Sequence, residues 1–310
     1  MSDLIKIYEV GPRDGLQNEP AILTSEQKLH MITGLIAAGI GHLEVTSFVN
    51  PKAVPQMADA DEVMVETIRR FPNDLTNFTG LVFNERGYDR ALATGCRSMA
   101  FGSAVSETFS LRNTRNTPQE ALHTAGQLVR RAREDRIRTR YYIMTAWVCP
   151  FEGPISPYKT LDLVRKVADM GVDEVAVADT IGFADPVAVG RLFDQLGRYI
   201  AIDRLAAHLH DTQALGLANV SVALQAGVRI FDTSIGGLGG CPFAPGAAGN
   251  LATEDMVFLA YKVGMGTGID FARLWQVVHD LEGMVGRPIG GRIRQWWESS
   301  RDHDPQVGFN

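Results

Sequence analysis

Eight short runs that read as β-strands recur along the chain, and a helix-like stretch follows each one. They are "IKIYEV" (5–10), "HLEVTSF" (42–48), "FTGLVF" (78–83), "SMAFGSAV" (98–105), "RYYIMTA" (140–146), "EVAVADT" (174–180), "LAAHLHD" (205–211) and "RIFDTSI" (229–235). Strands joined by helices pair in parallel, because each helix carries the chain back across the sheet. Eight such units in roughly 250 residues is the size of a closed (β/α)8 TIM barrel. A doubly wound sheet is the competing parallel architecture, and it usually carries a glycine-rich nucleotide loop after its first strand. Neither a GxGxxG nor a GK(S/T) loop is present. The expected class is α/β, a (β/α)8 TIM barrel with additional C-terminal helices.

Several helix starts are visible in the sequence. Thr117, Pro118 and Glu120 in "NTPQEAL" form a capping box with proline in its favoured first position. Ser156 with Pro157, and Asp185 with Pro186, repeat the pattern, and the helix opened at Ser156 is expected to stop near Gly171. No linker-like stretch interrupts the chain, so residues 1–310 are expected to form one catalytic domain. The barrel is expected over about 1–250, followed over about 251–310 by the helices "TEDMVFLAYKVGMG" and "IDFARLWQVVHDLEGMVG" and a polar tail. A net charge of −6 gives no general attraction to nucleic acid or anionic membrane. No apolar run approaches the ~18 residues of a membrane span. "MSDLIKIYEV" lacks a basic region followed by an apolar core, so no signal peptide is expected. Cys96, Cys149 and Cys241 are an odd number without CxxC spacing, which fits a reducing cytoplasm better than a disulfide framework or structural zinc.

In a barrel of this kind the chemistry stands at the C-terminal ends of the strands. Those ends are polar here: Arg13 and Asp14, Glu44 and Thr46, Asn84, Asp179 and Thr180, His208, His210 and Asp211, then Asp232 and Ser234. His208 and His210 are two apart on a strand, so both rings project to one side, the barrel interior if Leu209 faces the helices. Two imidazoles near a carboxylate suit a divalent metal, and a hydrogen-bonded histidine pair without metal is the competing reading. "GGLGGCPFAPGAAGNLATED" (236–255) can bring backbone close to a ligand or move as a lid. Cys241 within it suits a general acid or base, against the plainer reading of a small buried residue in a tight loop. Asn250 closes the loop and offers an amide oxygen as a further hard ligand. The run "RRAREDRIRTR", from Arg130 to Arg140, reads as a solvated helix face, and Trp296 and Trp297 as packing or interface anchors.

"VGPRDGLQNE", "EVTSFVNPKAVPQM", "CPFEGPISP", "ADTIG", "HLHDT" and "GGLGGCPFAPGAAGNLATED" resemble, in order and spacing, the 3-hydroxy-3-methylglutaryl-CoA lyase family over about residues 5–290. The resemblance implies a metal-dependent TIM-barrel lyase that uses Mg²⁺ or Mn²⁺ and cleaves its acyl-CoA substrate to acetyl-CoA and acetoacetate. It also implies a homo-oligomer and a place in leucine degradation. Asp14, His208, His210 and Asn250 would be metal ligands, with Arg13 the catalytic cation and Cys241 the lid acid/base. Asp14, His208 and Glu44 would take part in catalysis, Glu44 and Asp179 would support the residues that hold the metal, and Tyr142, Asp179 and Thr180 join Arg13 around the substrate. Arg13 and Asp14 are then expected to divide the work rather than chiefly pair with each other. Ala53, where the family commonly has Trp, and Pro20, where it often has Lys, depart from the pattern, as do Gln213 and Gly216. A small residue at 53 raises a larger 3-hydroxy-3-carboxymethyl acyl-CoA as an alternative substrate. A condensing acyltransferase of the isopropylmalate synthase type is the other alternative.

Overall fold

All eight runs become strands in the computed structural model, which describes residues 4–240 and 249–300. They are β1 (Lys6–Glu9), β2 (His42–Ser47), β3 (Phe78–Leu81), β4 (Ser98–Ala104), β5 (Arg138–Met144), β6 (Glu174–Asp179), β7 (Leu205–Leu209) and β8 (Ile230–Thr233). Each pairs in parallel with the next, and β8 closes onto β1. The register puts Tyr8 opposite Asp232 and Asp232 opposite His208, so three interior side chains share one level of the barrel.

Helices α1 (Ser25–Ala37), α2 (Ala60–Arg70) and α3 (Glu85–Ala93) follow the first three strands. The pair α4 (Glu107–Thr114) and α5 (Pro118–Glu134) follows β4, and α6 (Pro157–Asp169), α7 (Pro186–Leu196) and α8 (Gly216–Gln225) follow β5, β6 and β7. The helix after β8, α9 (Thr253–Lys262), completes the ring, so the barrel runs past the expected boundary near 250. The additional helices are α10 (Phe271–Val285), packed on α1, and α11 (Arg294–Ser300), which stands where a polar tail was expected. Trp297 of α11 is buried against Phe271 of α10, ring centroids 4.7 Å apart, whereas Trp296 stays largely exposed. No helix among the described residues is long and apolar enough to cross a membrane.

The capping chemistry accounts for two of the three expected starts. Thr117 and Glu120 make the reciprocal capping box of α5, and Asp185 accepts the Ala188 N–H at 2.9 Å. Ser156 makes no side-chain capping bond, and α6 starts on Pro157, whose fixed φ suits a first helical residue.

Side chains alternate between two apolar layers. Leu205, Ala207 and Leu209 of β7 face the helices, while Ala206 faces inward with Leu81, Ala100, Tyr142, Ala176 and Ile230. Alanines at 100, 176 and 206 leave room inside the barrel for larger neighbours. One is Arg140, whose guanidinium lies 3.7 Å from the centre of the Tyr8 ring. This corrects the reading of the arginine run as one helix face. The helix ends at Glu134, and Arg138 and Arg140 belong to β5, with Arg140 only 2% exposed.

Candidate active site

The turn after β1 is built by its two glycines. Val10 carbonyl accepts N–H bonds from Arg13, Asp14 and Gly15 at 2.7–3.2 Å, which winds residues 11–15 into one wide helical turn. A Cβ on Gly11 would stand 2.5 Å from Glu9 Oε1, and one on Gly15 would stand 2.6 Å from Ser234 Oγ. Only glycine lets this turn sit so close to β1 and β8, and the turn delivers Arg13 and Asp14 to the barrel mouth.

Arg13 does pair with Asp14: Nη1 lies 2.5 Å from Oδ1. It is equally held by Glu44 of β2, whose Oε2 lies 2.5 Å from Nη2 and accepts Nε–H at 2.5 Å. The expectation that the two do not chiefly pair with each other is corrected to this extent: Arg13 pairs with Asp14 and with Glu44 alike, because a buried guanidinium is stable only when carboxylates compensate it. Burial alone would raise the Asp14 carboxyl, but Arg13, then His208 and His210, and the Asn250 amide hold it well below the usual carboxylate range.

Asp14, His208 and His210 each offer one ligand atom, and these atoms lie within 4.8 Å of one another. Both rings enter the interior because Leu209 faces the helices. His208 Nδ1 faces Asp232 Oδ2 at 3.0 Å, and its Nε2 lies 3.2 Å from His210 Nε2. Two ring nitrogens at that distance need a proton or a cation between them. Burial, with His208 close by, pushes the His210 imidazole down to about 4, so His210 is neutral at neutral pH, and the two facing nitrogens can share one N–H or both turn lone pairs to a cation. Asn250 donates from Nδ2 to Asp14 Oδ2 at 2.8 Å and to the Leu238 carbonyl at 3.1 Å, while its buried Oδ1 has no partner among the described residues. Exchange of the two amide atoms leaves the side chain in place and turns an oxygen toward Asp14, an arrangement that a cation between them stabilises. A carboxylate, two imidazoles and an amide oxygen in search of a partner fit a divalent cation.

Beside the cluster lies a cavity of about 130 Å³. Arg13, Asp14, His208, His210, Tyr142 and Thr180 line one side, and Leu81, Phe83, Phe109 and Met144 form an apolar wall. Gln17, Asn18 and Asn113 line it as well, and sequence reasoning nominated neither these nor the wall. Tyr142 stands edge-on to His208, ring centroids 5.8 Å apart, and accepts a hydrogen bond from Arg140 at 3.0 Å. Thr180 Oγ1 accepts the Thr145 N–H at 2.8 Å. Asp179 is buried outside the cavity lining and accepts the N–H groups of Phe183 and Ala184, both at 3.0 Å. Burial raises it to about 6 against those bonds. In this position it shapes the loop after β6 instead of facing a substrate. Glu44 acts through Arg13 and likewise does not line the cavity. Cys241 lies outside the described residues. Ala53 and Pro20 are exposed and line no part of the cavity, which removes the sequence ground for a larger acyl group.

A closed parallel barrel with an acid–histidine–histidine cluster at its C-terminal mouth defines a barrel enzyme class whose mouth could hold a metal ion. The family model described as HMGL-like matches residues 4–281, and the chain belongs to that family, a family of carbon–carbon lyases. The hydroxymethylglutaryl-CoA lyase of Pseudomonas mevalonii is 40% identical over 283 residues, covering 91% of this chain and 93% of that protein. The human mitochondrial hydroxymethylglutaryl-CoA lyase is 38% identical over 291 residues, covering 94% and 89%. The crystal structure of hydroxymethylglutaryl-CoA lyase from Pseudomonas aeruginosa matches with a TM-score of 0.92 at 36% identity, covering 97% of this chain and 99% of that one. An HMG-CoA lyase from Acinetobacter baumannii, in complex with coenzyme A and 3-methylmalate, matches at 0.90 and 35% identity, with 95% of each chain covered.

Proposed function

We propose that this protein is a hydroxymethylglutaryl-CoA lyase, cleaving 3-hydroxy-3-methylglutaryl-CoA to acetyl-CoA and acetoacetate. The observation that carries the reading is the joint placement of Asp14, His208 and His210 beside a carboxylate-clamped Arg13 at the mouth of one cavity. Asp14, His208, His210 and Asn250 would hold Mg²⁺ or Mn²⁺, which supplies Lewis acidity that makes a neighbouring hydroxyl easier to deprotonate.

The chain's own residues do the rest. The 3-hydroxyl gives its proton to a carboxylate or imidazole of the cluster and becomes the ketone of acetoacetate. The C2–C3 bond breaks, and its electron pair passes to C2 as the enolate of the acetyl thioester. Arg13 is a fixed cation for that enolate oxygen, since Glu44 and Asp14 hold its guanidinium from two sides. Cys241 then returns a proton to C2. The wall of Leu81, Phe83, Phe109 and Met144 accepts the 3-methyl group and keeps water from the carbanion. Cys96 and Cys149 are buried free thiols, in keeping with a reducing cytoplasm.

Incubating the protein with Mg²⁺ and 3-hydroxy-3-methylglutaryl-CoA should yield acetoacetate. Absence of product at every Mg²⁺ and Mn²⁺ concentration removes the reading. Release of free CoA from acetyl-CoA plus a 2-oxo acid would favour a condensing acyltransferase instead.

A further inference from the structure

Behind His208 and His210 a file of charges runs through the barrel, partly exposed only at its far end. At its floor, Lys6 Nζ and Arg138 Nη2 each lie 3.0 Å from Glu174 Oε2. Glu174 Oε1 lies 2.8 Å from Arg140 Nε, and Arg140 Nη2 donates to Asp232 Oδ1 at 2.5 Å. The other oxygen of Asp232 faces His208 Nδ1 at 3.0 Å. Arg140, Glu174 and Asp232 are each no more than 2% exposed, so water cannot substitute for any partner.

We infer that Asp232 and Arg140 are positioning residues that together fix the tautomer of His208. A carboxylate oxygen can only accept, so the ring nitrogen facing Asp232 carries the hydrogen. Nε2 is then left with its lone pair toward Asp14 and His210, the form that can ligate a cation. Arg140 enters because it occupies the other Asp232 oxygen and also donates to Tyr142. Its guanidinium has no acceptor, so the group opposite it must present oxygen.

That constraint gives an unusual expectation for Asp232→Asn. Arg140 claims the amide oxygen, and the NH2 group turns to His208 Nδ1. The imidazole must then accept at Nδ1 and carry its hydrogen on Nε2, which blocks ligation. Arg140→Gln in the same chain removes the demand, because glutamine can donate or accept. The asparagine is then free to offer its oxygen to His208. The double variant also restores charge balance around Glu174, so recovery of stability alone is not informative.

The inference rests on the proposed cation site but not on the substrate, so its test uses Mn²⁺ alone. Mn²⁺ affinity of the purified full chain is measured by calorimetry and by the free-ion EPR signal. Nitrogen-15 spectra of the histidines report the tautomer in the metal-free protein. Wild type should show His208 protonated at Nδ1. Asp232→Asn should show Nε2–H and weaken Mn²⁺ binding roughly 10- to 100-fold. Adding Arg140→Gln should return Nδ1–H and recover most of that loss. Wild-type affinity in Asp232→Asn, or a double variant that binds no better than Asp232→Asn, overturns the inference. Should Asp232→Asn fail to fold, the wild-type spectrum decides alone: Nε2–H on His208 overturns it. Loss of lyase activity with normal tautomer and affinity data would count against the substrate assignment and leave this inference standing.

Discussion

Arg13 and Asp14 are neighbours in sequence and partners in space, yet each is shared with a different set of groups. Asp14 is shared between Arg13, Asn250 and the histidine pair, whereas Arg13 is shared between Asp14 and Glu44. Removing either member therefore exposes a different deficit. Asp14→Ala should abolish Mn²⁺ binding. Arg13→Ala should retain Mn²⁺ binding and lower kcat by ~10²–10³, because a fixed cation at the enolate is lost. Calorimetry and steady-state kinetics on the same preparations check the split, and loss of Mn²⁺ binding in both variants would show that the pair acts as one structural unit. The types and spacing of Asp14, His208 and His210 made the cluster legible in the sequence. Asp232 was visible only as one polar residue among several, since nothing in its own segment says that its carboxylate reaches His208, 24 positions away. Asp179 is the reverse case. Its place at a strand end suggests substrate contact, but its parity along β6 turns it away from the cavity and onto backbone N–H groups.

Strand and helix order followed from local signals that act at short range: hydrophobic runs, proline at first turns and capping residues. The α5 cap is one of these and can be isolated from catalysis, because Thr117 lies far along the chain from every cluster residue and on an exposed surface turn. Thr117→Ala should cost about 1 kcal/mol in chemical denaturation and leave kcat unchanged. A shift in kcat would mean that α5 transmits strain to the mouth. The arginine run after α5 shows where local signals stop. Arg133 and Arg140 look alike in sequence, but one sits at the end of a helix and the other inside the barrel. What separates them is the supply of carboxylates from β6 and β8, 34 and 92 residues away from Arg140. Binary patterning assigns an arginine to the surface unless its partners are known. The boundary at β5 was therefore misread by two residues, although the strand itself was not.

The ring of eight units was legible as a whole because alternation repeats over the full chain, but the attachment of its end was not. The segment after α10 is tied to the barrel by two buried carboxylates at the start of α9. Glu254 accepts N–H bonds from Gly236 at 3.1 Å and Gly291 at 2.6 Å, and Asp255 accepts from Arg292 and Ile293 at 2.7 and 2.9 Å. The root of the glycine-rich loop and the C-terminal helices thus share one anchor. Burial, reinforced by neighbouring Asp255, raises Glu254 to about 8 against its backbone bonds. An unfolded glutamate ionises near ~4.3, so between that pH and about 8 the folded state binds the extra proton. Stability from this group is present at low pH and is lost as pH rises through about 8. Stability, and with it melting temperature, should fall as pH rises from about 5 to about 8, by up to about 1.4 kcal/mol per pH unit from this group, and the fall should level off above about 8. Glu254→Gln, which mimics the protonated form, should flatten that fall, and an unchanged slope would assign it to other groups.

The file of charges from Lys6 to His208 means that the chemistry at the mouth cannot be lifted off its scaffold. A chimera that grafts the loops above the strands onto a foreign barrel would carry Arg13, Asp14 and Asn250 but leave Arg140, Glu174 and Asp232 behind. Such a hybrid would keep the visible ligands and lose the parts that aim one of them. For redesign, the transferable unit is a column through the barrel, including residues buried beneath the mouth.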